Sequence, residues 1–129
     1  MVDFDKLNSE LKEDTHIDEL NLLQKQLMLP GIKHKWVSRL INQKRQLAIL
    51  ERKKKLAKQG VLSSLEIPPG IPKMSLEKKI EESEVISKLN QEIEDIQITI
   101  EYFEKVEQIL RSMTYDIKNI IEINRLETT

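Results

Sequence analysis

The sequence predicts an all-α protein of long amphipathic helices with a Gly/Pro-rich arm, associating with copies of itself. Three observations carry that expectation. Only three glycines and four prolines occur in 129 residues, while 33% of residues are charged. That is a helical composition, because an all-β sandwich needs more turn residues. Hydrophobic residues make up 39%, too many for a disordered tail and too few for a large private core. The apolar residues also recur at heptad spacing. Cysteine is absent, which excludes a disulfide framework and any thiolate metal site. No apolar run approaches the roughly 20 residues of a membrane span, and no signal peptide precedes Asp3. The expectation is a soluble, cytosolic protein.

The elements follow in chain order. Phe4, Leu7 and Leu11 recur at three- and four-residue intervals behind Asp3, which predicts a short capped helix. A second short helix is expected with Asp18 as cap and Leu20, Leu23 and Leu27 on one face. Pro30-Gly31 should stop it. A long basic helix is expected over 32–59. Its seam is Trp36, Leu40, Gln43, Leu47, Leu50, Lys54, Ala57 and Val61, spaced 4-3-4-3-4-3-4. Residues 60–74 hold two Gly and three Pro and predict a loop or mobile arm. From Ser75 to Thr129 there is neither Gly nor Pro.

In this last region Ile86, Leu89, Ile93, Ile96, Ile100, Phe103, Leu110, Ile117 and Ile121 occupy heptad positions. Val106, Ile109, Met113, Ile120 and Ile123 form a second stripe. A lone helix cannot hide two stripes, so residues 75–129 are expected to pack against several neighbours. Ile100, Phe103, Leu110, Ile117 and Ile121 should be buried largely between subunits. Ile96 to Ile100 also alternates like a strand, but no turn residues bound it, which favours helix.

Charge is distributed unevenly. Residues 1–30 are net −4, residues 31–59 net +9, residues 60–76 neutral and residues 77–129 net −6. One block is therefore suited to a polyanion. Arg52, Lys53, Lys54, Lys55 and Lys58 place five positive charges within seven residues, which repel one another unless an anion lies against them. Lys33, Lys35, Arg39, Lys44 and Arg45 extend the basic surface, with Lys33, Lys44 and Lys55 recurring every eleven residues along one edge. Trp36 is the sole aromatic in the block and falls on the seam, so phosphate contacts rather than stacking should dominate. No Gly-rich phosphate loop or Cys nucleophile is present, and His16 and His34 are isolated in sequence. Glu77, Glu81, Glu82 and Glu84 read as a solvated helix face paired with Lys78 and Lys79 rather than as a cation site. No catalytic residue, cofactor or metal is expected.

Ordered along the chain, Leu7-x-x-Glu10-Leu11-Lys12-x-Asp14-x-x-Ile17-Asp18, Lys35-Trp36, Ile49 through Glu51 to Lys54-Lys55-Leu56-Ala57, and Ser112-x-x-Tyr115-x-Ile117-Lys118-x-Ile120-x-Glu122-x-x-Arg125 resemble the UvsY recombination mediators of T-even-like tailed phages. The resemblance implies a non-enzymatic mediator in the cytoplasm of the infected bacterial host. Such a protein binds single-stranded DNA and promotes replacement of the phage single-strand-binding protein by a RecA-like recombinase, contacting both. It also implies a closed homo-hexameric or homo-heptameric ring, assembled through the C-terminal part, with the middle basic tract on DNA. One departure stands out. The family's tract continues into Lys-x-Arg, whereas this chain has Lys58-Gln59-Gly60, so the arginine has no counterpart and Gly60 predicts an earlier helix end. Two other classes fit parts of the sequence. A coiled-coil scaffold without nucleic-acid binding explains the heptads, and a duplex-binding nucleoid or regulatory protein explains the charge.

Overall fold

The computed structural model describes residues 2–65 and 69–128, and every regular element in them is helical. Four helices follow one another: α1 Phe4–Asp14, α2 Leu22–Ser64, α3 Lys73–Glu81 and α4 Glu84–Glu127. The Asp3 carboxylate accepts from the Lys6 N–H at 3.2 Å, which satisfies one of the orphan donors at the start of α1. At the other end the Thr15 hydroxyl donates to the Leu11 carbonyl at 2.7 Å. Phe4, Leu7 and Leu11 are half-buried, as their spacing predicts. Asp18 closes the turn before α2 rather than capping the helix itself, which starts at Leu22. One of its carboxylate oxygens accepts from the Leu20 and Asn21 N–H groups at 2.9 and 2.8 Å. The Asn21 side-chain oxygen accepts from the Asp18 N–H in return.

The predicted stop at Pro30-Gly31 does not occur. α2 runs through both residues for 43 residues in all. Proline lacks the N–H that would bond the Gln26 carbonyl, yet Leu29 and Ile32 on either side of it are buried. Their burial outweighs one lost hydrogen bond, and Pro30 and Gly31 themselves face outward. Leu20, Leu23 and Leu27 do not form the covered face. They are 99%, 68% and 74% exposed, and Leu22 and Leu29 are the residues taken into the core. Nor does Gly60 end the helix, since α2 continues to Ser64 and Gly60 has no positive φ. The expected arm over 60–74 therefore shrinks at both ends. Residues 60–64 belong to α2 and α3 begins at Lys73, while residues 66–68 of that arm lie outside the described residues. Gly70 adopts φ 90°, the left-handed conformation for which glycine is suited.

The chain divides into two units, residues 1–42 with 99–129 and residues 43–98. In the first, Leu22, Leu29, Ile32, Trp36 and Leu40 of α2 are buried, and so are Ile100, Phe103, Val106, Leu110, Met113 and Ile117 of α4. Trp36 is 1% exposed, with its ring centroid 6.0 Å from that of Phe103. Tyr102 stacks edge-on against Phe4 at 5.3 Å and donates its hydroxyl proton to Asn8, which ties α4 to α1.

The stripe expected at subunit contacts is covered within one chain. Ile100, Phe103, Leu110 and Ile117 are at most 8% exposed within one chain, and Ile121 is half-buried. A single chain covers the stripe because α1 and the start of α2 fold back over it. The second stripe splits: Val106 and Met113 are buried, while Ile109 and Ile123 are 45% and 54% exposed.

In the second unit the seam residues Gln43, Leu47, Leu50, Lys54, Ala57 and Val61 are all half-buried, and Ile86 and Leu89 are fully buried. Residues 96–100 are helical. Strand alternation would give 96, 98 and 100 the same environment, but Ile98 is 46% exposed while Ile100 is buried. No buried side-chain nitrogen or oxygen among the described residues lacks a partner.

Candidate nucleic-acid interface

The basic tract lies on α2, and its composition explains why. Arg52-Lys53-Lys54-Lys55-Leu56-Ala57-Lys58 consists of strong helix formers that lose little rotamer freedom in a helix. The ten predicted cations then separate by their surroundings. Lys44, Arg45, Arg52, Lys53 and Lys55 are exposed. Among the described residues none of them forms an ion pair with a carboxylate. Lys33 is half-buried on the rim of a 190 Å³ cavity with Trp36, Glu107 and Arg111.

Lys35 and Arg39, also expected on DNA, differ from these five in being ion-paired within the chain. The Arg39 guanidinium donates to both oxygens of Glu10, at 2.8 and 2.9 Å. The Lys35 ammonium lies 2.6 Å from Asp14 and 3.0 Å from Glu10. The Trp36 indole N–H donates to the same Asp14 oxygen at 2.9 Å, and the Arg39 guanidinium sits 4.7 Å from the centre of the indole. The Arg39 hydrogen bonds hold the Glu10 carboxyl down at about 2, with Lys35 adding to the effect against the opposing pull of burial. Burial works against the charge on Lys35, but its bonds to Asp14 and Glu10 outweigh it and raise its pKa. These two cations fasten α1 to α2.

Lys58 is also engaged. Its ammonium lies 2.8 Å from Glu81 on α3, with Lys54 at 4.0 Å from the same oxygen. Asn90 donates to the other Glu81 oxygen at 2.8 Å. The Lys58 and Asn90 hydrogen bonds lower the Glu81 pKa. Glu81 was visible in the sequence only as one of four nearby acids, and nothing in its spacing marks Lys58 as its partner. Beside this pair, Lys54, Lys55 and Lys58 form one wall of an open groove of 390 Å³ with Glu51, and Ile93 and Gln97 of α4 line it too. The two α4 residues escaped sequence reasoning because nothing in the heptad pattern separates them from other seam and flank positions.

The histidines stay outside the tract's chemistry. His16 hydrogen-bonds Asp18 at 3.1 Å in an exposed turn, and His34 is exposed on α2. Among the described residues no group of three or more His, Asp or Glu is arranged to hold a metal ion, and no helix is long and apolar enough to cross a membrane.

A family profile described as "Recombination, repair and ssDNA binding protein UvsY" matches residues 10–129. The chain belongs to the UvsY family. Crystal structures of the bacteriophage T4 recombination mediator protein UvsY share its fold. The lattice type II structure superposes with a TM-score of 0.86 at 18% identity, covering 100% of both chains. The type IV structure gives 0.87 at 18% identity over 98% of this chain and 99% of that one. No curated protein sequence matches it significantly. The UvsY match begins at Glu10, so it takes in both ends of the Glu10–Arg39 pair and the whole basic tract.

Proposed function

We propose that this UvsY-family protein is a phage recombination mediator that binds single-stranded DNA through α2. It promotes replacement of the phage single-strand-binding protein by a RecA-like recombinase in the cytoplasm of the infected host. The observation that carries this reading is the set of exposed cations at Lys44, Arg45, Arg52, Lys53 and Lys55, none of them ion-paired among the described residues. A helix face left with that much uncompensated charge is suited to phosphates, whose condensed counterions are released on contact. Lys54 and Lys58 add to the surface when a phosphate competes with Glu81. No bond is made or broken. The protein works by holding a strand so that one covering protein leaves and another nucleates.

Several copies of the tract in a closed ring multiply the effective concentration of cations along one strand. With most of the predicted contact residues occupied inside each chain, support for a ring comes from apolar side chains left outside. Leu20, Leu23 and Leu27 are exposed, and so are Ile109, Tyr115, Ile123 and Leu126 on α4. Such surfaces are typical of association sites.

Competition between single-stranded and duplex oligonucleotides across a salt series tests the reading. Single strands should win, and log affinity should fall with log salt at about −0.7 per neutralised phosphate. Replacing Arg52, Lys53 and Lys55 together by Ala should weaken binding and flatten the slope by about 2, with helix content unchanged. Preference for duplex would favour the nucleoid or regulatory reading. Absence of binding to either would favour the scaffold reading.

A further inference from the structure

The groove beside the basic tract has features that phosphate binding alone does not require. Glu51, Lys54, Lys55 and Lys58 fall at i, i+3, i+4 and i+7, so they share one face of α2. Ile93 and Gln97 fall at i and i+4 on α4, and all six line the same 390 Å³ space. That volume lies within the roughly 300–1,000 Å³ of ligand-sized clefts. Lysines account for the charged wall. An acid, an amide and a branched aliphatic side chain accompany them, and a surface serving phosphates alone would have no use for a carboxylate in its midst.

We infer that this groove is a nucleobase subsite, in which one base of a bound single strand lies over Ile93 with its polar edge toward Gln97 and Glu51 while its phosphates contact Lys55 and Lys58. This inference rests on the single-strand reading above and adds a specific occupant to it. Each residue type matches a part of a nucleotide. Ile93 offers an apolar contact to a base face, in a chain whose basic block has one tryptophan and that one 1% exposed in the core. A glutamine amide pairs with the adjacent donor and acceptor of adenine, and a carboxylate accepts from the exocyclic amino group of cytosine. Thymine has no amino group to offer Glu51, so it is the base least suited to the site. Lys58 is held by Glu81 at 2.8 Å until a phosphate replaces that carboxylate. Breaking that pair offsets part of what the phosphate contact contributes, so Lys58 joins the site only where a phosphate outcompetes Glu81.

The test uses oligonucleotides of one length and one phosphate count: mixed adenine and cytosine, all thymine, and a fully abasic chain. Binding of the full-length protein is followed by fluorescence anisotropy at one salt concentration. The abasic chain should bind about fivefold to tenfold more weakly than the adenine–cytosine chain, with thymine in between. Gln97→Ala and Glu51→Gln each change an exposed helix position. Gln97→Ala should weaken binding of the adenine–cytosine chain and leave the abasic chain unchanged, while Glu51→Gln, which also removes a carboxylate beside the lysines, should narrow the gap between the two chains. Equal affinity for the natural and abasic chains would overturn the subsite while leaving phosphate-dominated binding intact. So would a base-dependent affinity that neither variant alters, which would put the bases elsewhere. Failure of all three oligonucleotides to bind would overturn the single-strand reading and the subsite with it.

Discussion

Glu10→Gln is the sharpest probe of how the N-terminal helix is held. The substitution keeps the shape of the side chain and removes the charge that Arg39 grips at 2.8 and 2.9 Å. The Glu10 carboxyl is lowered from the ordinary value of 4.5 to about 2. At about 1.4 kcal/mol per unit that shift corresponds to roughly 3 kcal/mol of stability. The Glu10 side chain is 32% exposed, and solvent screening at such a site reduces the figure to about 1–2 kcal/mol. The sign follows from linkage. A depressed carboxylate stabilises the fold above its unfolded pKa, and that contribution is lost as pH falls through the folded value. Urea unfolding at pH 7 should therefore find Glu10→Gln less stable than wild type by about 1–2 kcal/mol. The gap should close steadily from about pH 5 toward pH 2, where the wild-type carboxyl takes up its proton. Amide exchange at pH 7 should speed up in α1 more than around Trp36. Equal stability at neutral pH, or a gap that persists in acid, would refute the electrostatic account of α1 docking.

Glu81→Gln removes the carboxylate that competes for Lys58 and should tighten single-strand binding at low salt. Unchanged affinity by titration would mean that Lys58 does not reach a phosphate. Gly60→Ala places a methyl group in open space in the interior of α2. It should stabilise the protein by about 0.5–1 kcal/mol in thermal unfolding, because glycine loses the most backbone entropy in a helix.

Periodicity was the most legible layer of this sequence. The eight seam positions from Trp36 to Val61 are all covered, including the polar Gln43 and Lys54, because a period of 3.5 constrains which side faces a neighbour whatever the residue. Asp3 was readable as a cap, since a cap depends on residues three positions away, whereas Asp18 closes the turn that precedes α2. Pro30 misled because a breaker is a local cost, and the burial of Leu29 and Ile32 is a tertiary gain that spacing alone does not weigh. The expectation that Ile100, Phe103, Leu110 and Ile117 lie between subunits met a related limit, since all four are buried within one chain. Two apolar stripes imply neighbours but do not distinguish a partner chain from α1 and α2 of the same one. The basic tract was visible as a charge excess, yet charge counting cannot tell Lys55, exposed and without a carboxylate partner among the described residues, from Lys35, which bonds Asp14 and Glu10. Ion pairs that span more than twenty residues, or that join Lys58 to Glu81, leave no short-range signature.

The fastening of α1 has a consequence for any salt titration of this protein. α1 contributes no fully buried residue, and beside the half-buried Phe4, Leu7 and Leu11 its hold on α2 is made by the ion pairs of Glu10 and Asp14. Added salt then acts on two coupled equilibria with opposite effects on affinity. It displaces a strand from α2 by making counterion release less favourable. It also loosens Glu10 and Asp14 from Arg39 and Lys35, returning two cations to the face that meets phosphate. Compensation of this kind bends a log–log plot, which should grow shallower at the salt concentration where α1 amides begin to exchange freely. A straight line through that concentration would show that the helix stays closed throughout.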